Sequence, residues 1–430
     1  MSFRLGLDFG TSGARACVIG EGGAVVHAQR VDYINPARQT PQDWRAALLE
    51  LLGGLPSGVA ANLRGIAIDG TSGTVLLCDD GLAPLSDALM YDDARAHAQA
   101  GQLKAIAPPD QSGALPGLAR FLWLTQHAEE ADFFLHQADW LTALLSGRPG
   151  ISDYHNALKT GYDVEALRWP DWVLALPHAH LLPDVVAPGS DLGTIRPDIA
   201  ERFGISPHCR IHAGTTDGNA AFIASGVTEP GVGVTSLGTT LVLKQLSSKR
   251  IEAPEYGVYS HRYGKLWLAG GASNAGAGIL RHYFEDARIA ELSAFIDPER
   301  DSPLDYYPLS KPGERFPVND PQLAPRLEPR PANDAQFLHG MLQGLARIEA
   351  TGYARLEELG ATPLCAVMTN GGGAKNETWR KLRERLLGVP IGTAAQQDAA
   401  YGSALLCAGD FCMSRNAASN RPDGTGLPNR

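Results

Sequence analysis

The chain has 430 residues, of which 44% are hydrophobic and 20% are charged, so it is long enough for two globular domains and is not a disordered polypeptide. Its net charge of −10 argues against nucleic acid or an anionic membrane as the main partner, and no stretch of about 18 residues is apolar enough to span a bilayer. The six cysteines form no Cys-x-x-Cys pair, which favours reduced thiols in a cytoplasmic protein over a disulfide framework or a zinc site.

The N-terminal residues predict a β-meander with a turn suited to phosphate. An apolar strand ends at Phe9, and two further short strands are predicted over residues 16–19 and 25–27. The first turn consists of Gly10, Thr11, Ser12 and Gly13. Glycines let backbone N–H groups approach a phosphate, and the two hydroxyls add donors. Asp8, at the strand end, is placed to hold a hydrated Mg²⁺; the alternative is an ordinary glycine-rich hairpin.

A second loop of an acid and small residues follows a predicted strand over residues 66–69. This loop runs from Asp69 to Gly73 and includes Ser72. Ligands of α/β proteins bind at strand ends of this kind, although turn chemistry alone would also explain these residues. Further along, residues 118–145 predict a helical region, and His155 could line a sugar pocket or serve as a structural residue.

The second half repeats the opening pattern. A strand ending at Ala213 leads into Gly214-Thr215-Thr216-Asp217, where Asp217 is either a functional acid or the N-cap of the next helix. The strand over residues 232–236 is followed by Gly238 and Thr239 and then by another strand. This strand–Gly-Thr–strand unit resembles the first hairpin, so we predict two domains of similar topology that share a cleft.

Two glycine-rich segments complete the set of candidate nucleotide contacts. Gly271 lies in a run of small residues after a predicted strand. A buried strand over residues 366–369 is followed by Asn370 and then by Gly371, Gly372 and Gly373. Successive glycines leave room for a large flat group on the backbone. Asn376 could bond the edge of an adenine, and Trp379 could flank the same ring.

Four motifs in this order resemble the FGGY carbohydrate kinases, which belong to the superfamily of sugar kinases, actin and heat-shock ATPases. They are Asp8-Phe9-Gly10-Thr11-Ser12, Gly214-Thr215-Thr216-Asp217, Ser236-Leu237-Gly238-Thr239-Thr240 and Asn370-Gly371-Gly372-Gly373-Ala374-Lys375-Asn376. The resemblance covers roughly residues 3–410. It implies an α/β fold with two ribonuclease-H-like, actin-like ATPase domains flanking a catalytic cleft. It implies a sugar-binding domain over residues 1–222, an ATP-binding domain over 223–397, and a C-terminal helix at about 398–412 that packs on the first domain.

The resemblance also implies the substrates and the roles of the site residues. ATP and Mg²⁺ would be required. Asp217 would be the general base, and Asp8 would be a second catalytic carboxylate that holds Mg²⁺ through water. The predicted nucleotide contacts are Thr11, Ser12, Gly13, Gly238, Thr239, Gly271, Gly371, Gly372, Gly373, Asn376 and Trp379. The predicted sugar contacts are Asp8, Ser72, Gly73 and Asp217.

The subgroup is inferred from the loop over residues 69–73. Xylulose kinases carry Gln-Met-His-Gly at this place and glycerol kinases carry an Arg-Glu pair, and this chain has neither. The loop, the N-terminal motif and the segment from Ser152 to Lys159 look like the cyanobacterial and plant xylulose-kinase-like proteins that act as D-ribulose kinases. We therefore predict a pentulose kinase for the terminal hydroxyl of D-ribulose, with D-xylulose as the alternative. A non-catalytic actin-like ATP-binding protein is the alternative from another class.

Overall fold

The computed structural model describes residues 1–108, 115–127, 130–394 and 396–408. The strands are β1 Phe3–Phe9, β2 Gly13–Ile19, β3 Val25–Asp32, β4 Leu63–Gly70, β5 Val75–Cys78, β6 Phe133–His136, β7 Ile151–Asp153, β8 Asp184–Val186, β9 Asp191–Thr194, β10 Arg210–His212, β11 Thr215–Thr216, β12 Val232–Leu237, β13 Leu241–Ser247, β14 Tyr259–Tyr263, β15 Leu266–Ser273, β16 Ala366–Asn370 and β17 Ile391–Thr393. The helices are α1 Pro41–Gly53, α2 Ser57–Ala60, α3 His97–Ile106, α4 Pro116–Thr125, α5 Gln137–Ser146, α6 Tyr154–Leu158, α7 Asp171–Leu174, α8 Pro197–Phe203, α9 Asp217–Ala224, α10 Gly278–Tyr283, α11 Asp286–Ser293, α12 Asp334–Glu358, α13 Glu377–Leu387 and α14 Ala399–Leu406.

Two mixed sheets of similar topology organise the chain. The first has the order β3-β2-β1-β4-β10-β9, with β11 also paired to β4, and the second has the order β14-β15-β13-β12-β16-β17. In each sheet an antiparallel meander continues into parallel strands, β1 with β4 and β12 with β16. The internal duplication predicted from the two Gly-Thr hairpins is therefore confirmed. The central strand β1 buries Leu5, Leu7 and Phe9 completely, as expected for a strand covered on both faces.

The C-terminal helix α14 packs back onto the first sheet. A methyl group on Gly6 of β1 would lie 1.8 Å from the carbonyl oxygen of Ala400, so the strand and the helix meet at backbone distance. Ser403 of this helix donates a hydrogen bond of 2.6 Å to Asp69 at the end of β4. The predicted helix at about 398–412 is described as far as residue 408, and residues 409–412 lie outside the described residues.

One element prediction is wrong. Residues 118–145 do not form a single helical region, because α4 ends at Thr125 and the strand β6 precedes α5. Phe133–His136 pairs with β5 in a separate two-stranded sheet. The helical periodicity of the flanking segments concealed this short strand of only 4 residues, which is stabilised by a partner distant in the sequence.

Polar side chains connect the two halves of the chain. Arg250 pairs with Glu165 at 2.8 Å, and the Nζ atom of Lys159 donates to the hydroxyl of Tyr259 at 2.7 Å. His155, which is completely buried, donates through Nε2 to the carbonyl oxygen of Arg262 and accepts from the hydroxyl of Thr215. Burial lowers the pKa of His155 to about 4 and keeps the ring neutral. Of the two roles considered for His155, the structure therefore shows the structural one and not the lining of a sugar pocket. No helix in the described parts of the chain is long and apolar enough to cross a membrane.

Candidate active site

The site lies at the edge of the first sheet where three strands end side by side. Asp8 on β1 is the register partner of Asp69 on β4, and Asp69 is in turn the partner of Thr215 on β11. Because these strands run in parallel, their carboxyl ends meet at one edge of the sheet. The acids that the sequence singled out in three separate motifs therefore converge.

Asp8 is buried, and its side chain faces both an acid and a base. Its Oδ2 atom lies 3.3 Å from Nη1 of Arg15, the residue opposite it on β2. Burial raises the pKa of Asp8, whereas the hydrogen bond with Asp69 and the charge of Arg15 oppose that increase. Asp69 is 0% exposed, and burial and the charge of Asp8 raise its pKa well above the ordinary range. Of the two carboxyl groups, Asp69 therefore has the more strongly raised pKa, and the charge of Arg15 favours the ionised form of Asp8.

The turn after β1 presents hydroxyls and amides to solvent. Gly10 donates its N–H to the carbonyl oxygen of Gly13 at 3.1 Å, which closes the turn between β1 and β2. Thr11 and Ser12 at its tip are exposed. Gln39 donates a hydrogen bond of 2.6 Å to the carbonyl oxygen of Thr11 and so fixes the turn from behind. The turn is thus held from behind, and its two hydroxyl groups lie on its exposed side.

Asp217 is the first residue of α9 rather than its N-cap. The cap position belongs to Thr216, so the N-cap alternative for Asp217 does not hold. Its Oδ1 atom accepts the N–H of Gly218 at 2.6 Å. Burial and the charge of Asp8 raise the pKa of Asp217, the hydrogen bond from Gly218 and the charge of Lys244 lower it, and the resulting pKa is about 6. A carboxylate with a pKa near neutrality is suited to accept a proton.

Lys244 of the second sheet contacts the two residues that follow Asp217. Its Nζ atom donates to the carbonyl oxygen of Gly218 and lies 3.5 Å from Oδ1 of Asn219. Burial lowers the pKa of Lys244 to about 8, although the charge of Asp217 opposes that decrease. A strand of the second half thus supplies a cation beside the acid of the first half.

A cavity of about 330 Å³ joins the turn to Asp217. Its lining consists of Asp8, Gly10, Thr11, Ser12, Gly13, Arg15, Asp217, Gly218, Ala221, Gln397 and Ala399. The predicted residues Asp8, Asp217 and those of the first turn therefore share one space. Arg15 and Gln397 are lining residues that the sequence analysis missed. The register of the first hairpin would have revealed Arg15, which lies directly opposite Asp8.

The second Gly-Thr turn lies between β12 and β13. The carbonyl oxygen of Gly238 accepts the N–H of Ala277 at 2.8 Å. A methyl group on Gly276 would lie 2.4 Å from the carbonyl oxygen of Thr239, so this glycine permits the close approach. The prediction for Gly271 is wrong. Gly271 is a buried residue of β15, where a methyl group would lie 2.6 Å from the ring of Phe316, so its small size serves packing in the core.

The triple-glycine turn adjoins the same end of the second sheet. Ser236 pairs with Asn370 in register, and Gly371 has a φ of 87°. The N–H of Gly371 donates to Oε1 of Gln397 at 2.9 Å. Since Gln397 also lines the cavity at the first turn, it connects the glycine turn with that cavity.

Asn376 and Trp379 hold the start of α13. The Oδ1 atom of Asn376 accepts the N–H of Trp379 at 3.0 Å, and its Nδ2 atom donates to the hydroxyl of Ser293 at 2.8 Å. The predicted position of Trp379 beside a nucleotide is wrong, because its side chain is 2% exposed and belongs to the core. A methyl group on Gly373 would lie 2.6 Å from its ring, so Trp379 supports the glycine turn from below.

Ser72 and Gly73 follow the end of β4, beyond Asp69. They do not line the cavity of the first turn. The Oγ atom of Ser72 is buried and has no hydrogen-bond partner in the described chain. Gly73 has a φ of 86°, a left-handed conformation that favours glycine. A buried hydroxyl without a partner is costly unless a ligand satisfies it, which makes Ser72 a candidate contact for a polar substrate.

Asp8 could hold a hydrated Mg²⁺ only together with other ligands. Among the described residues, no group of three or more His, Cys, Asp or Glu side chains is arranged to bind a metal ion. Mg²⁺ usually keeps several waters and is held by one or two carboxylates together with substrate phosphates. A single ionised carboxylate beside a turn of amides and hydroxyls fits that mode of binding.

Comparison with protein-family models finds a match over nearly the whole chain. Residues 3–224 match the model described as the FGGY family of carbohydrate kinases, N-terminal domain, and residues 233–409 match that of the C-terminal domain. A xylulose kinase of Klebsiella pneumoniae is 27% identical over 90% of this chain and 85% of its own length. A xylulose kinase of Streptomyces coelicolor is 28% identical over 94% of this chain and 87% of its own length.

Solved structures share the fold. The crystal structure of a xyloylose kinase from Brucella ovis has a TM-score of 0.82 and 24% sequence identity, and covers 96% of this chain and 91% of its own. Plasmodium falciparum glycerol kinase with ADP has a TM-score of 0.82 at 16% identity, with 97% and 91% of the two chains covered. The predicted α/β fold of two domains, as in the FGGY carbohydrate kinases, is confirmed.

Proposed function

Because this chain belongs to the FGGY family of carbohydrate kinases, we propose that it transfers the γ-phosphoryl group of ATP to the terminal hydroxyl of a pentulose. The observation that carries the proposal is the shared cavity, in which Asp217 faces the phosphate-type turn and Asp8. Phosphoryl transfer needs a positioned hydroxyl, a base and neutralised phosphate charge, and this cavity offers a group for each requirement. The proposed division assigns residues 1–222 to sugar binding and 223–397 to ATP binding.

In the proposed mechanism, Asp217 accepts the proton of the attacking sugar hydroxyl. Thr11, Ser12 and Gly13 on one side, and Gly238 and Thr239 on the other, would hold the phosphates. The glycine turn over residues 371–373 would carry the adenosine, with Asn376 at the edge of the base. Asp8 would orient hydrated Mg²⁺, which when bound neutralises charge on the phosphates.

Arg15 adds a cation to this cavity. Its guanidinium group is paired with Asp8, and its side chain remains 40% exposed towards the lining of the cavity. An arginine presents several donors in a fixed planar geometry that matches phosphate oxygens. We assign Arg15 to the transferred phosphoryl group, where negative charge is redistributed during the reaction.

The relatives' names favour D-xylulose as the sugar. Both curated relatives described above are called xylulose kinase, so D-xylulose is the first candidate. D-Ribulose remains the second candidate, because Ser72 offers a short unpartnered hydroxyl where xylulose kinases carry a histidine. A serine leaves more space and makes a different hydrogen bond, so the orientation of the neighbouring sugar hydroxyl decides between the two.

ADP release tests the proposal directly. Purified protein with Mg-ATP is assayed without sugar and with D-xylulose, D-ribulose, L-xylulose, L-ribulose, glycerol or gluconate. We expect strong stimulation by one of the two D-pentuloses. Stimulation by glycerol or gluconate alone would contradict the pentulose assignment. Binding of ATP without stimulation by any polyol would favour a non-catalytic actin-like ATP-binding protein.

The pH dependence should reflect Asp217. A base must be ionised to accept a proton, so the rate at saturating ATP should fall as the pH decreases through about 6, the raised pKa of Asp217. Lys244→Met removes the cation that lowers this pKa, so the acidic limb should move to higher pH. Lys104→Met, which changes an exposed lysine of α3, is the matched control and should leave the limb in place. An unchanged limb in Lys244→Met would contradict the assignment of that limb to Asp217.

A further inference from the structure

Arg120 on α4 is a buried cation that the proposed mechanism does not use. Its side chain is 6% exposed, and its Nε atom has no partner in the part of the chain that the structure describes. Asp92 and Asp93 are the charged residues that act on it, and Asp93 is already paired with Arg95 at 2.7 Å. A buried charge without a direct ion pair is costly, and an apolar side chain would fill this place at lower cost. Stability alone therefore does not account for this arginine.

The guanidinium group of Arg120 spans two loops. Its Nη1 atom donates to the carbonyl oxygen of Gly73 at 3.0 Å, and its Nη2 atom donates to the carbonyl oxygen of Tyr91 at 2.5 Å. Thr74 adds a second connection, because its Oγ1 atom accepts the N–H of Tyr91 at 3.1 Å. The loop after β4 and the segment at Tyr91 are thus held at a fixed separation.

Both loops border the place proposed for the sugar. Gly73 directly follows Ser72, whose hydroxyl is buried and unpartnered. Burial and, after it, the charges of Asp92 and Asp217 raise the pKa of the Tyr91 hydroxyl, so this segment lies within electrostatic range of the proposed base. The loop at Ser72 is also anchored on its other side, where Thr71 donates its N–H to Oε1 of Gln137 at 2.9 Å. Of these anchors, only Arg120 bonds both loops through one rigid group.

We propose that Arg120 is a positioning residue for sugar selectivity, which sets the separation between the Ser72 loop and the Tyr91 segment. The planar guanidinium group offers several donors at fixed angles, whereas a lysine ammonium group is a single flexible point charge. An arginine can therefore donate to carbonyl oxygens on two different loops at fixed angles, which a lysine cannot do. This inference rests on the proposed function, because it takes the Ser72 loop to contact the sugar.

Arg120→Met and Arg120→Lys test this role. In Arg120→Met we expect the KM for the preferred pentulose to rise roughly 10–100-fold and the ratio of kcat/KM between D-xylulose and D-ribulose to fall about tenfold, since displaced contacts lose discrimination. The KM for ATP should change less than about twofold, because the nucleotide contacts lie elsewhere. Arg120→Lys should recover part of the selectivity through one retained hydrogen bond.

Arg148→Met is the matched control. Arg148 lies in the same half of the chain and donates to a single backbone carbonyl, that of Leu192, at 2.9 Å. Arg148→Met should leave the KM values and the selectivity ratio unchanged.

Native melting behaviour of Arg120→Met with unaltered KM and selectivity would overturn the proposal, as would an equal rise in the KM for ATP. If Arg120→Met does not fold, a native selectivity ratio in Arg120→Lys overturns it. Absence of pentulose-stimulated ADP release by the unmodified protein would instead contradict the proposed function.

Discussion

Asp217→Asn is expected to lower kcat by roughly 10²–10⁴-fold, the range that a positioned general base contributes. The amide keeps the size of the side chain and can still accept the N–H of Gly218, which now bonds Oδ1 of Asp217 at 2.6 Å. It cannot take a proton from the sugar hydroxyl. The KM values for sugar and ATP should therefore change little, so that kcat and kcat/KM fall together. Steady-state kinetics of ADP release provide the measurement.

The matched control for this variant is Asp184→Asn. Asp184 is an exposed carboxylate on β8 that does not line the cavity, and its loss should leave kcat unchanged. Near-normal turnover of Asp217→Asn, with the sugar still required, would contradict its role as the base. A large rise in KM at constant kcat would indicate that Asp217 only binds the sugar.

Gly402→Ala is expected to lower the free energy of unfolding by about 3 kcal/mol, at the upper end of the usual cost of overpacking. Gly402 lies where α14 crosses α9, and a methyl group there would lie 1.9 Å from the carbonyl oxygen of Ala220. The obstacle is backbone rather than a flexible side chain, so one helix must move. Since α9 begins with Asp217, kcat should also fall.

Gly101→Ala provides the control for the helix itself. Gly101 is in α3, and a methyl group there meets nothing within 4 Å. Alanine is the better helix former, so this variant should be more stable by roughly 0.5–1 kcal/mol. Urea unfolding followed by circular dichroism gives both values. A Gly402→Ala protein as stable as the unmodified chain would show that α14 does not pack on α9 at backbone distance.

Local patterns predicted the parts of the site that are built from neighbouring residues. The turn from Gly10 to Gly13 needs only a hairpin and small residues, so the sequence around it was enough to predict a turn suited to phosphate. The duplicated topology followed because the Gly-Thr unit occurs twice. Asp217 was recognisable from the Gly-Thr-Thr that precedes it, although only the structure excluded its use as an N-cap.

Residues whose role depends on distant packing were not predictable in this way. In the sequence Gly271 resembles a loop glycine. In the structure the ring of Phe316, 45 positions later, leaves no room for a side chain at this position. Asn376 caps the helix α13 on which Trp379 lies, but this helix directs the side chain of Trp379 into the core. Gln397 accepts a hydrogen bond from Gly371, and Arg120 donates to Gly73 and Tyr91, all of them distant in the sequence. No local signal marks such contacts.

The most direct test of the central claim is the fate of the γ-phosphate. ATP labelled in that phosphate is incubated with the protein, Mg²⁺ and either D-xylulose or D-ribulose, and the products are separated and identified by phosphorus NMR. We predict one labelled pentulose phosphate, esterified at the terminal hydroxyl, in an amount equal to the ADP formed. Label found only in inorganic phosphate, whether or not sugar is added, would contradict a sugar kinase.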